Sequence, residues 1–192
     1  MDVETEPKFV AYYTNGNGYK EESIRLEKSL NKFNLDYEIA GVPDLGDWNK
    51  NTHYKPTFIK DMLIKHKPKP IIYIDVDAEI CQYPEVLMSA KFNFAIAGID
   101  WSKYGRKRGL EIISSVVYFA NTETNMLLVD KWIELCVIHR TTWDQKLIAS
   151  ILPSDYVKLP DSYCKIFDKL KGVEPVIKQY QASRRLKIRR KL

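Results

Sequence analysis

Residues 71–84 read IIYIDVDAEICQYP. Ile71–Ile74 is an unbroken apolar run, short for a helix and without the alternation of a strand that has one wet face, so it predicts a central strand covered on both sides. The run ends directly in Asp75-Val76-Asp77. In an extended segment side chains two apart project to one side, which lets both carboxylates approach a single cation. Hard carboxylate oxygens suit Mn²⁺ or Mg²⁺, ions that share their coordination shell with substrate phosphates and water. An Asp-x-Asp after a strand also reads as an ordinary turn or helix cap. Its position against a buried strand end favours the cation, because unpaired negative charge beside apolar surroundings is costly.

Outward from this stretch, strands and helices alternate. Phe9–Tyr13 is a short apolar and aromatic strand ended by Thr14-Asn15-Gly16-Asn17-Gly18. Leu26, Leu30 and Phe33 recur at helical spacing among Glu and Lys, and Leu35, Tyr37 and Ile39 alternate with polar residues, completing a first βαβ unit. Pro56 suits a first helical position before Phe58, Ile59, Met62 and Leu63, and Pro68 and Pro70 close that helix. Beyond the acidic pair, Phe94–Ile99 and Ile112–Phe119 read as strands. Thr122–His139 reads as a helix with Leu128, Trp132 and Leu135 on one side, and Trp143–Leu152 as a shorter one. The pattern predicts an α/β fold with a mostly parallel central sheet flanked by helices. No repeat or linker divides residues 1–192, so they read as a single domain with a basic tail from about 183.

Hydrophobic residues make up 45% of the 192 and charged residues 29%, which supports a folded core and excludes wholesale disorder. No apolar run approaches the roughly 20 residues needed to span a bilayer. Met1–Val10 carries Asp2, Glu4 and Glu6 where a signal peptide would be basic, so the chain reads as cytoplasmic. Cys81, Cys136 and Cys164 are odd in number and lack metal-ligand spacing, and read as reduced, mostly buried thiols. The net charge of +5 is uneven: Arg184, Arg185, Lys187, Arg189, Arg190 and Lys191 cluster at the end. That cluster reads as a solvated terminus or, with Arg106-Lys107-Arg108, as a phosphate-backbone contact.

Against these residues a family resemblance emerges. Ile71–Pro84 resembles the DxD strand of GT-A fold glycosyltransferases, enzymes that use nucleotide-diphosphate sugars. Ala11–Asn15 (AYYTN) resembles the family's first strand, whose end holds the base and ribose, and Lys55-Pro56-Thr57-Phe58-Ile59 resembles the helix start facing the nucleotide. Ile113–Asn121 (ISSVVYFAN), followed by Thr122–Trp132, is similar to a segment in which two small residues precede an aromatic strand and a Trp-bearing helix. Trp143-Asp144-Gln145 is similar to the family's Asp-Gln pair. Val176–Arg185 (VIKQYQASRR) resembles a terminal segment that often reads Ile-x-His near a Ser-Arg, with Gln179 where a metal-ligating His is common.

The resemblance implies a single GT-A-like (Rossmann-like) domain of the small viral or bacterial type, located in the host cytoplasm if viral. It implies catalytic roles for Asp144 and Gln145. Nucleotide-sugar contacts would come from Ala11, Tyr13, Thr14, Lys55, Asp75, Val76, Ser115 and Arg184, and Mn²⁺ or Mg²⁺ would sit on Asp75, Asp77 and Gln179. The implied donor is a UDP-sugar carrying glucose or another hexose, the acceptor a glycan, and the stereochemistry retention. Lys55 or Ser183-Arg184-Arg185 would add positive charge near the leaving phosphate.

Alternatives stay open at this level. Asp144 serves as a base or charge stabiliser, or equally caps the helix containing Leu147, Ile148 and Ile151. Ser114 and Ser115 let a sugar approach or are ordinary small strand residues. Tyr12 and Tyr13 are core aromatics, or one stacks on a base. Asp44–Thr52 and Gly105–Gly109 read as mobile flaps or plain loops. His53, His66 and His139 are assigned no role. A nucleotidyltransferase would need a Gly-rich basic loop after the first strand, and Asn15-Gly16-Asn17-Gly18 lacks the basic residues. A nucleic-acid-binding or DNA-modifying protein using the basic tail is the rival from another class.

Overall fold

The computed structural model describes residues 6–16 and 18–186. Strand β1 (Lys8–Thr14) leads through the glycine turn into α1 (Tyr19–Lys32) and β2 (Tyr37–Val42). β1 and β2 are parallel, from Phe9 opposite Tyr37 to Thr14 opposite Val42, so the expected βαβ unit is formed. Leu26 and Leu30 are its buried helical stripe, and Phe33 lies just past the helix end.

The next helix begins earlier than its sequence suggests. α2 spans Trp48–Lys65 and is started by Asp47, whose carboxylate accepts the Lys50 amide at 2.9 Å. Pro56 therefore sits inside the helix rather than opening it. Its missing N–H removes only the one bond that would have reached the Thr52 carbonyl. The expected flap at 44–52 is correspondingly half helix. Asp44 accepts the Gly46 amide and the Asn51 side chain, which fixes the remainder as a turn against the helix.

β3 (Ile71–Ile74) follows, wholly buried, then β4 (Ala78–Ile80), the single-turn α3 (Glu85–Met88), β5 (Phe94–Asp100) and β6 (Leu110–Phe119). α4 (Glu123–Ile138), α5 (Asp144–Ala149), β7 (Val157–Lys158), β8 (Lys165–Ile166), β9 (Ile177–Gln179) and α6 (Ala182–Arg185) complete the described chain. The main sheet has order β2-β1-β3-β6-β5-β7. It is parallel at β2–β1, β1–β3 and β5–β7, and β6 runs antiparallel between β3 and β5. A second small sheet, β4-β9-β8, has no counterpart in the sequence reading, because strands of two or three residues carry no periodicity.

Alternation along β1 and β3 feeds two cores. Phe9, Ala11, Ile72 and Ile74 pack with α1 and the small sheet, whereas Val10, Ile71 and Tyr73 pack with α2, α4 and α5. The buried stripe of α4 is Asn125, Val129, Trp132 and Cys136, with the expected Leu128 and Leu135 flanking it. Cys136 and Cys164 are buried and Cys81 half-buried, all as free thiols. Among the described residues no helix is long and apolar enough to cross a membrane.

Trp132 ties this packing to the start of α5. Its ring is fully buried and its indole N–H donates to the Asp144 carbonyl at 3.0 Å. Trp132→Phe is expected to cost about 1–3 kcal/mol in denaturant melts, from lost volume and the lost indole hydrogen bond. A Leu127 substitution, on the exposed side of α4, serves as the control with little effect.

Candidate active site

Beyond the carboxyl ends of the parallel strands β1 and β3 lies a cavity of about 590 Å³, where ligands of open α/β sheets sit. Lys55, on α2, is its buried anchor, 5% exposed. The ammonium lies 3.1 Å from both Asp75 and Asp144 and donates to the Ser114 carbonyl and hydroxyl at 3.2 and 3.1 Å. Burial opposes its charge, but the two carboxylates outweigh it and hold the lysine protonated. Lys55 therefore braces two acidic residues and its charge is already matched.

The acidic pair occupies a tight turn, not the extended segment that sequence spacing suggested. Asp75 donates its amide to the Ser115 carbonyl at 2.9 Å and accepts the Ala78 amide at 3.1 Å, so Asp75–Ala78 turns from β3 into β4. Both carboxylates still reach the cavity. That of Asp75 is matched by Lys55 and accepts the Tyr73 hydroxyl at 2.9 Å. That of Asp77 accepts the Ala182 amide and forms no ion pair among the described residues. Burial and the neighbouring Asp75 charge raise its pKa to about 6, partly offset by that amide. Among the described residues, the turn thus carries two carboxylates and one direct ion pair, that of Asp75 with Lys55.

A distortion of β6 brings its serines into the same space. Ile96 of β5 faces Val117, but the next residue, Ala97, faces Ile113, so Ser114–Val116 bulge out of that ladder. Ser114 donates to Asp144 at 3.0 Å. Ser115 is 6% exposed, and its hydroxyl lies beside the Cys164 thiol with no oxygen or nitrogen partner among the described residues. Gln179, opposite Ala78 in β9, is 4% exposed, lines the cavity, and leaves its amide nitrogen unpartnered. Two polar atoms without oxygen or nitrogen partners beside an acidic turn are features of a site built for a polar ligand.

No group of three or more His, Cys, Asp and Glu suited to a metal occurs among the described residues. The donors present are nonetheless hard oxygens, the carboxylates of Asp75 and Asp77 and the amide oxygen of Gln179. That set fits Mn²⁺ or Mg²⁺, with ligand phosphates and water completing the shell.

Asp144 opens α5 as its first helical residue, with Trp143 at the cap position, so the helix-cap alternative does not hold. Its carboxylate is committed to Ser114 and Lys55. Gln145 lines the same cavity and donates weakly to Glu111 at 3.4 Å. Tyr13, Thr14 and Val76 line the cavity as well, and Gly41 opposite Tyr13 gives it room: a Cβ there would lie 2.9 Å from the Tyr13 hydroxyl. Ala11 is packed in the core and does not line the cavity.

Arg184 reaches the cavity wall but forms a two-point ion pair with Asp168 at 2.7 and 3.1 Å. Arg185 pairs with buried Glu22, which also holds Arg25. Lys187, Arg189, Arg190 and Lys191 lie outside the described residues, as does Asn17 of the first turn. Of the 105–109 segment, Arg108 packs over the Trp101 ring and pairs with Glu111 at 3.1 Å.

Sequence reasoning missed Tyr73, Trp101, Glu111 and the contact between Trp48 and Trp143. Tyr73 was hidden as one apolar residue of a core strand. Trp101 and Glu111 become neighbours only through the β5–β6 pairing.

Two outcomes are expected. Lys55→Met leaves the buried Asp144 carboxylate and the part-exposed Asp75 carboxylate unmatched and should cost about 3 kcal/mol, recovered in part by adding Asp144→Asn, as read by denaturant melts. Asp77 holds its proton more tightly folded than unfolded, so its contribution is present at low pH and lost as pH rises through about 6. In EDTA, stability should fall by on the order of 1 kcal/mol from this group between about pH 4 and 7. Asp77→Asn should flatten that fall.

The sequence matches no protein-family model and no curated protein. Solved structures are similar over nearly the whole chain. A glycosyltransferase involved in the glycosylation of the major capsid of PBCV-1 superposes with TM-score 0.68 at 9% identity, covering 94% of this chain and 96% of that one. The apo form of the glycosyltransferase GlyE of Streptococcus pneumoniae TIGR4 gives 0.64 at 16% identity over 92% of this chain, which spans 54% of GlyE. The galactosyltransferase LgtC, solved with donor and acceptor sugar analogs, gives 0.59 at 8% identity over 91% of this chain and 87% of its own. At such identities the likeness is one of fold, and the fold is GT-A-like.

Proposed function

We propose that this chain is one metal-dependent nucleotide-sugar transferase unit that moves glucose or another hexose from a UDP-sugar to a glycan acceptor, with retention. The observation that carries the reading is the convergence of Asp75, Asp77 and Asp144 on one cavity at the carboxyl ends of β1 and β3. The fold adds support, since the solved structures it resembles are named as glycosyltransferases, one bound to donor and acceptor sugar analogs.

Asp75, Asp77 and the Gln179 amide oxygen would hold Mn²⁺ or Mg²⁺. Bound there, the cation would neutralise charge developing on the departing diphosphate. Tyr13 and Thr14, at the end of β1, border the space for the base and ribose. The Ser115 hydroxyl offers a hydrogen bond to the donor, and the bulge that frees it lets a sugar approach the strand.

Asp144, fixed by Lys55 and Ser114, sets negative charge where positive charge grows on the anomeric carbon, and Gln145 beside it holds a hydroxyl. Glu111, another carboxylate of this cavity, is engaged by Trp101, Arg108 and Gln145. That engagement keeps Glu111 from acting as a free base, which supports retention. Lys55 acts by bracing the two acids, and Arg184 must leave Asp168 before it can meet a phosphate. The pairing of Arg184 and Arg185 with Asp168 and Glu22 also weakens the nucleic-acid reading, since those charges are already spent.

The test is thermal melting with Mn²⁺ and UDP, together with release of free glucose from UDP-glucose. Ligand at about 100 times its dissociation constant should add about 2.7 kcal/mol. Asp77→Ala should keep the fold and lose glucose release by at least about a hundredfold. A melting temperature unmoved by both Mn²⁺ and UDP would overturn the proposal.

A further inference from the structure

A sheet leaves backbone groups unpaired along its outermost strands, and folds close such edges by keeping them short, charged or covered. Three of the four described edges are closed in this way. β7 is only Val157 and Lys158, and the Lys158 side chain folds back onto the Gly98 and Leu159 carbonyls at 3.0 and 3.1 Å. β8 is equally short. β4 lies against α1, where the Ser29 hydroxyl accepts the Ile80 amide at 3.0 Å. The β2 edge is different. That strand has six residues in unbroken register with β1, contains neither proline nor lysine, and has no described strand beyond it. Gly41 is exposed and Tyr37–Ala40 are only half-buried, so the rim is accessible.

The ladder decides which groups the rim presents. Phe9 donates its amide to the Asp36 carbonyl and Asn15 to the Val42 carbonyl, so Asp36, Glu38, Ala40 and Val42 turn their backbone groups toward β1. By alternation, the N–H and C=O of Tyr37, Ile39 and Gly41 point outward. None of these groups has a hydrogen-bond partner among the described residues.

From this geometry we infer that β2 is a docking edge for a second copy of this chain, joined antiparallel about a two-fold axis at Ile39 into one continuous sheet. The three outward residues are evenly spaced about Ile39. In that register Tyr37 faces Gly41 of the second copy and Ile39 faces its own counterpart, so every outward N–H meets an outward carbonyl. The side chains agree with this pairing. Each Tyr37 stands beside a Gly41, the position on that face with no side chain, and an aromatic ring shields an edge glycine well. Glu38, the one charge on the strand, faces Ala40. The two Glu38 carboxylates lie diagonal to each other, and each is held by Lys65 at 2.6 Å and His66 at 2.8 Å of its own chain. Asp36, just before the strand, is likewise matched by Lys8 and Lys69. Because the β7 edge is closed, pairing stops at two chains. Each cavity lies beyond the carboxyl end of its own β1, which is parallel to β2, so the two cavities open at opposite ends of the joined sheet. The docking edge is therefore independent of what the cavity binds.

The experiment is light scattering and sedimentation on the full chain, without nucleotide or metal. The mass should be twice 22.5 kDa at about 100 µM and fall toward 22.5 kDa on dilution. Ile39→Pro removes an outward N–H and no bond to β1, so it should keep the fold in denaturant melts and weaken the dimer at least tenfold. A cross-link tests the register separately. In a Cys81→Ala background, Ile39→Cys sets two thiols across the axis with Cα atoms about 5.5 Å apart, within disulfide reach, and mild oxidation should give a covalent dimer. Tyr37→Cys, about 14 Å from its counterpart, should not cross-link. If Ile39→Pro does not fold, the cross-link decides. A chain that is monomeric at that concentration, or a dimer whose affinity survives a folded Ile39→Pro, would overturn the inference. Assemblies larger than two, or cross-linking through Tyr37→Cys and not Ile39→Cys, would overturn it as well.

Discussion

Everything at the mouth of the sheet depends on one buried ammonium. Lys55 comes from a helix, Asp75 from a strand end, Asp144 from a short helix far along the chain, and Ser114 from a neighbouring strand. A lone lysine at this depth would lose its proton or unfold the site, and two carboxylates without it would repel each other. Placed together they fix four elements to one point. This is why α2 tolerates a proline in its interior next to the lysine: the helix is held by what its side chain grips as well as by its backbone.

The same economy leaves Asp77 exposed to its own charge. The turn puts two carboxylates close together, and Lys55 pairs with Asp75 while offsetting Asp77 only in part and at longer range. Two neighbouring carboxylates lower the stability of the fold, a conflict of the kind found where a site is shaped by binding as well as by folding. The small β4-β9-β8 sheet is what holds the arrangement, since Ala182 follows it and donates to Asp77 while Gln179 sits within it.

Much of the fold could be read in the chain. Apolar runs such as Ile71–Ile74 and the stripe through Leu26 and Leu30 are dictated by burial alone, and burial leaves a periodic trace. The start of α2 could not be read, because Pro56 is a stronger local signal than the Asp47 cap and pointed to the wrong boundary. Asp75 and Asp77 stand out in the chain because a motif concentrates charge there, whereas Asp144 was named from resemblance; all three line one cavity. The site was illegible where contacts come from pairing register: Trp101 meets Glu111, and Trp48 meets Trp143, only once distant segments are side by side. Gln179 was named from resemblance, and only the three-dimensional arrangement reveals its orphaned amide.

The bulge in β6 divides that strand into two parts with different obligations. Val116–Phe119 is knitted to β3 throughout and to β5 from Val117 onward, whereas Leu110–Ile113 is bonded to β5 alone. The outer segment is therefore tethered within the sheet on one side only, although Ile112 and Ile113 still pack against the two cores. The strand is an arm with a single attachment, set on a shoulder held from both sides.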